Sequence, residues 1–336
     1  MLPNRPHAVQ SLVASDLPAR QPAPILLPAI LNVTIPFFAL VLCGYLAARY
    51  RRLPLTAVAP LNGFVLYFAL PALLYRFVAN SPFKQIANTP IFVAYGLAGV
   101  LVLGITCAVL RRLNRDGWRD AAFGAMAASW ANWGYMGFAL IPAIMGQDAI
   151  GVIIAAAIAD LVVVVSLGLA LATREGRGGE HWTAAAKGGL QGIGRNPLIW
   201  AISAGLAASA FDLDLPFAVD EFLRLLATAA GPVALFSIGL SLYRPGHHNM
   251  SPITFVIVAF KLLLHPLLAW AIATWLLRLG PAESAVLVLM AALPAAGTAY
   301  LFAEQQGADA DRIATVVMIS TVAAFASFSM FAALVR

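Results

Sequence analysis

The chain has 336 residues, of which 61% are hydrophobic and 11% are charged, and its formal net charge is +6. An ordinary soluble domain is about half apolar and about a quarter charged, so a soluble fold of this length could not bury so much apolar surface. The expected solvent is a bilayer, and the positive charge then indicates membrane topology rather than nucleic-acid binding.

The chain begins with a proline-rich stretch, residues 1–24, which we interpret as a disordered tail without the features of a signal peptide. A membrane span needs about 20 mostly apolar residues, and ten candidate spans follow the tail. They cover residues 26–48, 55–77, 89–110, 121–145, 149–172, 196–212, 217–243, 252–277, 283–303 and 312–335. The predicted fold class is therefore an all-α membrane protein with ten transmembrane helices.

A hydrophilic loop, residues 173–195, divides the ten spans into five and five. Because five is odd, a second half that resembles the first must enter the membrane upside down. Pro71 in the second span and Pro232 in the seventh stand at matching places of the two halves. We therefore predict two inverted five-helix repeats, residues 25–172 and 196–336, on either side of a cytoplasmic loop.

Basic residues favour an orientation with both termini outside. In that orientation the inner loops carry 13 lysine and arginine residues, against seven on the outer side. Basic residues concentrate in the inner loops of membrane proteins. The thirteen are Arg49, Arg51, Arg52, Arg111, Arg112, Arg115, Arg119, Arg174, Arg177, Lys187, Arg195, Arg244 and Arg312.

Two charge-free runs, residues 121–147 and 284–303, carry helix breakers and polar side chains where the lipid core should be. Hydrocarbon does not tolerate open backbone N–H and C=O groups unless protein or a water-filled cavity surrounds them. Interrupted spans at corresponding places in two halves are the best sequence indication of a secondary transporter's binding site. We predict that both spans are broken and that the breaks meet inside the membrane.

A helix that begins inside the membrane presents unpaired N–H groups and a partial positive charge, which suits a carboxylate. Asn132 can donate and accept hydrogen bonds, Thr298 supplies a hydroxyl, and Tyr135 and Tyr300 could close over a substrate. The predicted substrate-binding residues are Asn132, Gly134, Tyr135, Gly137, Gly297, Thr298 and Tyr300. The alternative is that the glycines serve close helix packing and the aromatic residues an interfacial belt.

Three ionisable residues lie inside predicted spans. Asp160 is in the fifth span, and Lys261 and His265 are one turn apart in the eighth. A charge at the centre of a span costs at least about 2.5–3.5 kcal/mol, so it usually faces a cavity or a partner. We predict that these residues couple ions or balance charge. The alternatives are a structural ion pair and a lysine that reaches the membrane surface.

The signatures of several enzyme classes are missing. The chain contains no His-Glu-x-x-His motif, no phosphate-binding glycine loop and no carboxylate-rich metal cluster. The two cysteines, Cys43 and Cys107, lie in apolar runs and indicate neither a disulfide framework nor a metal site. We expect no enzymatic activity and no cofactor beyond a coupling proton or sodium ion. A ligand-sensing membrane receptor and a membrane-embedded enzyme remain the rivals from other classes.

Several segments resemble those of a known transporter family. They are Leu61-Asn62-Gly63-Phe64-Val65, residues 69–74, Arg195-Asn196-Pro197-Leu198-Ile199, residues 230–239, residues 261–266 and residues 292–303. The segment Ala230-Gly231-Pro232-Val233-Ala234-Leu235-Phe236-Ser237-Ile238-Gly239 is the most specific of these. With them the chain, from about residue 25 to its end, resembles the auxin efflux carrier family in its bacterial branch, which includes malonate permeases.

The resemblance implies ten helices in two inverted repeats, an arrangement similar to sodium–proton antiporters and bile-acid symporters. It implies a scaffold of spans one, two, six and seven, a mobile transport domain of spans three to five and eight to ten, and a carboxylate held where spans four and nine cross. The family's fourth-span asparagine falls on Asn132. Thr298 stands where relatives often have asparagine, and a hydroxyl cannot copy the paired donor and acceptor of an amide.

The leading hypothesis is a secondary transporter of small organic anions, such as malonate or auxin-like acids, in a bacterial inner membrane. Alternating access of the elevator type would move the substrate, and the termini would be periplasmic. A sodium-coupled symporter of the bile-acid type is the runner-up within the transporter class. The expected partners are a small carboxylate, the lipid bilayer and no nucleic acid, and a homodimer through the scaffold spans is a further hypothesis.

Overall fold

The computed structural model describes residues 26–80, 88–173, 197–243 and 250–335. The predicted tail of residues 1–24 and all but the first residue of the predicted loop 173–195 lie outside these ranges. Of the thirteen inner-loop basic residues, Arg174, Arg177, Lys187, Arg195 and Arg244 also lie outside them.

All regular secondary structure in the described ranges is helical, apart from one isolated β-bridge. The helices are α1 (Leu26–Arg49), α2 (Leu55–Ala79), α3 (Thr89–Leu113), α4 (Trp118–Ser129), α5 (Trp133–Met145), α6 (Ala149–Ala172), α7 (Pro197–Ala210), α8 (Phe217–Leu242), α9 (Pro252–Leu276), α10 (Pro281–Ala292), α11 (Gly297–Gln305) and α12 (Ala310–Leu334).

Six helices in the described part of the chain, α2, α3, α6, α8, α9 and α12, are long and apolar enough to cross a membrane. This confirms the predicted class of an all-α membrane protein, while the count of ten spans and their inverted repeat stay predictions. Each predicted span coincides with one helix, except that the fourth corresponds to α4 and α5 and the ninth to α10 and α11. The helix ends extend past some apolar runs, as at Trp118, because backbone hydrogen bonding can continue after the lipid-facing sequence ends.

Several helices contain a π-helical turn, which the sequence analysis did not predict. These turns are Val65–Ala69 in α2, Trp133–Gly137 at the start of α5, Asp160–Val165 in α6, and Phe260–Leu264 and Ile272–Leu276 in α9. Such turns occur frequently at functional sites. Two of them contain the predicted charge-balancing residues Asp160 and Lys261.

The helices pack in two groups. One group consists of α1, α2, α7 and α8, and the other contains α3, α4, α6, α9, α10, α11 and α12. Helix α5 contacts members of both groups, and the groups also touch directly where α1 meets α12 and α2 meets α6. The first group is held closely because a Cβ added at Gly44 of α1 would overlap the backbone of Phe236, and one added at Gly239 of α8 would overlap that of Val41. Small residues permit such backbone contact between membrane helices.

A buried ion pair joins the connections at one end of both interrupted spans. Arg312, at the start of α12, is 4% exposed, and its guanidinium lies 2.7 Å from Asp116 in the α3–α4 connection. Beside it, the backbone N–H of Asp309 donates to Asp120 Oδ1 at 2.8 Å. Arg312, which the sequence analysis counted as an inner-loop cation, therefore also has a structural partner. A second ion pair joins Arg76, in the last turn of α2, to Asp220, in the first turn of α8.

Candidate functional site

Both predicted interruptions are present. Helix α4 ends at Ser129 and α5 begins at Trp133, while α10 ends at Ala292 and α11 begins at Gly297. The residue that follows each first half-helix, Trp130 or Leu293, has extended backbone angles.

The two interruptions pair with each other through their main chains. Ala131 and Ala295 form an antiparallel bridge. The N–H of Asn132 donates to the carbonyl of Pro294 at 2.9 Å, and the N–H of Ala296 donates to the carbonyl of Trp130 at 3.1 Å. Four backbone groups that would otherwise be open inside the protein are satisfied in this way.

At each interruption, a side chain from the next long helix accepts a hydrogen bond from a backbone N–H. Asp160 Oδ2 of α6 accepts a hydrogen bond from the N–H of Ala131 at 3.3 Å, and Ser320 Oγ of α12 accepts one from the N–H of Ala295 at 3.2 Å. Both side chains are fully buried. The two contacts have the same geometry but different chemistry, because the first acceptor can carry a negative charge and the second cannot.

The buried charges lie beside helix ends of opposite sign. Lys261 Nζ is 2.9 Å from the carbonyl oxygen of Ala291, in the last turn of α10, and 3.0 Å from His265 Nδ1. Asp160 lies beside the beginning of α5. A cation near a helix C-terminus and an anion near an N-terminus are both stabilised by the helix dipole. Asp160 and Lys261 form no direct ion pair, although each acts electrostatically on the other.

Three buried polar atoms near the paired interruptions have no hydrogen-bond partner among the described residues. They are Tyr95 Oη, Asn132 Nδ2 and His265 Nε2. The indole N–H of Trp133 lies close enough to the Asp160 carboxyl group to interact with it. The ring of Tyr95 lies 5.5 Å from that of His265. Buried polar groups nearly always bind protein, ordered water or an ion, so this cluster is chemically suited to bind water or a small ion.

A cleft lies between α2 and α8 on one side and α5, α11 and α12 on the other. Its lining residues are Val58, Asn62, Tyr135, Ser237, Ile238, Ser241, Leu242, Gly297, Thr298, Tyr300, Ala314 and Val317. The lining comes from the start of α2, the end of α8 and the start of α12, which all lie on the predicted inner side. The cleft has a volume of about 50 Å³.

The cleft divides the predicted ligands into two sets. Tyr135, Gly297, Thr298 and Tyr300 line it, while Asn132, Gly134 and Gly137 do not. A Cβ added at Gly134 would lie 3.2 Å from Leu70, and one added at Gly137 would lie 3.1 Å from Leu293. The alternative interpretation, close helix packing, therefore describes the two glycines of the first interruption. Asn132 is 2% exposed and does not line the cleft.

The beginning of α11 faces the cleft and has the properties of an anion seat. The N–H groups of Gly297 and Thr298 form no hydrogen bond to a described backbone carbonyl. A Cβ added at Gly297 would meet no atom within 4 Å, so open space adjoins these amides. Unpaired amides and a helix dipole together favour a bound carboxylate.

The residues on the opposite wall were not among the ligands predicted from the sequence. Asn62 of α2 and Ser237 and Ser241 of α8 contribute polar groups there. Asn62 and Ser237 lie in segments that carry the family resemblance, and that was the available signal. Ser320 had none, because one serine in an apolar helix is unremarkable in a sequence.

Comparisons with known proteins agree with this picture. The family described as membrane transport protein matches residues 29–332. The chain is 27% identical over 308 residues to a protein of Rhizobium meliloti named "Putative malonate transporter", covering 91% of this chain and 96% of that protein. It is 26% identical over 294 residues to an "Uncharacterized transporter" of Methanothermobacter thermautotrophicus, covering 87% and 94%.

A mouse protein named "Lysosomal cholesterol signaling protein" is 25% identical over 256 residues, which are 72% of this chain but 29% of that protein. The two microbial relatives, in contrast, match over nearly their whole lengths and are named as transporters. With helices suited to a membrane and a family match over most of its length, the chain belongs to the membrane transport protein family, whose members resemble auxin efflux carriers, and it is a transporter rather than an enzyme.

Proposed function

We propose that the protein is a secondary transporter that carries small carboxylates across a bacterial inner membrane by alternating access. The observation that carries this proposal is the meeting of two broken helices, with the beginning of α11 facing a cleft. Substrate sites of secondary transporters form where discontinuous helices place their ends inside the membrane.

The carboxylate is held at the beginning of α11. The amides of Gly297 and Thr298 donate to its oxygens, the Thr298 hydroxyl adds a third donor, and Tyr135 and Tyr300 close the remaining space. A water molecule requires about 10–15 Å³ of such volume, so a cleft of about 50 Å³ suits a small acid better than a steroid. The name of the Rhizobium relative supports malonate as the first substrate to test.

Asn132 supports the same site from behind. Its backbone joins the two interruptions, and its amide nitrogen has no hydrogen-bond partner among the described residues. We keep it among the ligands as a donor that reaches the substrate from the first interruption. Gly134 and Gly137 stay in the proposal as residues that let α5 approach its neighbours closely.

Transport follows the elevator scheme in ten spans of two inverted repeats. The group of α1, α2, α7 and α8 is the scaffold, with both termini periplasmic, and the other group is the moving domain. The two packing groups and the cleft between them support this division. A homodimer would form through the scaffold.

Asp160, Lys261 and His265 balance charge or couple transport to a proton or a sodium ion. An inside-negative membrane potential opposes the entry of an anion by about 2.3 kcal/mol per charge per 100 mV. Import therefore requires a coupling ion, whereas export does not. This proposal is supported by the connection from Asp160 to the anion seat: Asp160 accepts the N–H of Ala131, and Ala131 pairs with Ala295, two residues before Gly297.

Uptake of labelled malonate into proteoliposomes tests the proposal. We expect Thr298→Val and Asn132→Ala to reduce uptake strongly, because each removes a donor from the site. Thr173→Val, the same change at the exposed end of α6, is the matched control. Uptake that both site variants leave unchanged would remove the proposed seat.

The same vesicles separate the alternatives. Uptake that requires sodium would select the bile-acid type of symporter. Uptake that does not respond to acidification of the outside would exclude proton coupling. Malonate binding without any uptake in either direction would favour a ligand-sensing receptor.

A further inference from the structure

The wall of the cleft opposite α11 contains one buried hydrogen bond between two helices. The hydroxyl of Ser237 on α8 donates to Asn62 Oδ1 on α2 at 2.7 Å. Ser237 is fully buried, whereas the side chain of Asn62 is partly exposed and lines the cleft. Ser237 lies two positions before Gly239, where α8 meets the backbone of Val41 in α1 closely.

This hydrogen bond decides which end of the Asn62 amide is available. A carboxamide has one acceptor oxygen and one nitrogen with two donor hydrogens. Because the oxygen receives the Ser237 proton, the NH₂ group is the end left for the cleft. No other described side chain or backbone group bonds to Asn62 Nδ2.

The polar groups of the cleft then match the chemistry of an anion. The amides at the beginning of α11 donate from one wall, and the Asn62 NH₂ donates from the other. Ser241, the third polar residue of that wall, already donates its proton to the carbonyl of Ile238 at 2.7 Å. No lysine, arginine, aspartate or glutamate is among the residues that line the cleft.

We propose that Asn62 Nδ2 donates a hydrogen bond to the bound carboxylate from the wall opposite α11, and that Ser237 is a positioning residue that fixes the Asn62 amide in the donating orientation. The inference rests on the proposed function and adds a recognition residue from the scaffold side to it. It also gives a physical reason for a polar pair at this place in two otherwise apolar helices.

The substitution Asn62→Asp tests the proposal sharply. Aspartate has the same shape and keeps an oxygen that accepts the Ser237 proton, but it replaces the donor with a negative charge. A purely structural asparagine would tolerate the change, whereas a carboxylate-binding one would not. We expect malonate affinity to fall at least about tenfold. The variant loses a hydrogen bond to a charged carboxylate, which is stronger than one between neutral groups, and it places a second negative charge beside that carboxylate.

Two companion variants complete the experiment. Ser237→Ala leaves the amide free to turn, so we expect a smaller loss of affinity, about threefold. Asn80→Asp makes the same chemical change at an exposed position, where the amide nitrogen donates to the carbonyl of Arg76, and serves as the control. Binding is measured by calorimetry with malonate on purified full-length protein, and folding by thermal unfolding.

The outcomes separate the inference from the function on which it rests. If the wild type binds malonate and Asn62→Asp binds it within twofold, the proposed role of Asn62 is wrong. If Asn62→Asp does not fold, Asn62→Ala decides, and unchanged affinity in that variant would overturn the role equally. If the wild type binds neither malonate nor any acid of a carboxylate panel, the proposed function fails, and the inference fails with it.

Discussion

The two interruptions of the molecule share a backbone arrangement and differ in what surrounds it. In each, an alanine N–H is held by a side chain of the following long helix, and the two alanines pair with each other. At the first interruption that side chain is Asp160, and the neighbouring glycines pack against other side chains. At the second it is Ser320, and the neighbouring Gly297 adjoins open space.

This difference indicates that the two interruptions have different roles. At the first interruption the carboxyl group of Asp160 already accepts the N–H of Ala131, so this N–H is not available to an anionic substrate. The beginning of α11 has a neutral neighbour and faces the cleft. We therefore infer that a symmetric backbone arrangement yields one site for resident charge and one for the substrate.

Removing the Asp160 side chain should lower stability more than any of the other substitutions below. Asp160→Ala leaves the N–H of Ala131 buried without its acceptor, and it also leaves Lys261 buried without the carboxylate that acts on it. The orphaned N–H alone costs about 1–3 kcal/mol of stability. The measurement is the unfolding temperature of purified protein in detergent. The double variant Asp160→Ala/Lys261→Met contains neither buried charge, so the part of the loss that comes from Lys261 should be recovered, while the part that comes from the Ala131 N–H should remain. A double variant no more stable than the single one would show that the two charges do not balance each other.

Removing the Ser320 hydroxyl should lower stability by an intermediate amount. Ser320→Ala leaves the N–H of Ala295 buried without an acceptor, at a cost of about 1–3 kcal/mol. No charge is disturbed, so the response of malonate uptake to external pH should equal that of the wild type. Thermal unfolding and uptake at two pH values check both parts. A pH response lost in Ser320→Ala would contradict the assignment of charge to the first interruption alone.

The smallest change is the addition of one methyl group, at Gly297 in the second interruption or at Gly137 in the first. Gly297→Ala places a methyl in the open space beside the α11 amides, so malonate affinity should fall about tenfold, or about 1.4 kcal/mol, while stability stays unchanged. Gly137→Ala forces a methyl against Leu293 and Trp133, so stability should fall by about 1–3 kcal/mol while affinity is retained. Calorimetry and thermal unfolding on both variants distinguish the two outcomes. The reverse pattern would place the substrate at the first interruption.

Much of this arrangement could be predicted from the sequence. Apolar runs locate helices because a bilayer demands them, and glycine, proline and polar residues within such runs located both interruptions. The roles of Gly134 and Gly137 could not be separated from that of Gly297, since whether a glycine meets a side chain or open space depends on packing between distant segments. For the same reason neither Ser320 nor the Asn62–Ser237 pair could be assigned before their partners were known.

The joint between the interruptions is made of main-chain groups, and Ala131 and Ala295 are almost wholly enclosed. Such a joint requires little of its residues except small size. Substitutions around the cleft can therefore change which acid is accepted while the mechanical connection between the half-helices persists. Substrate selectivity can therefore change among homologous transporters without a change in the way the two interruptions are joined.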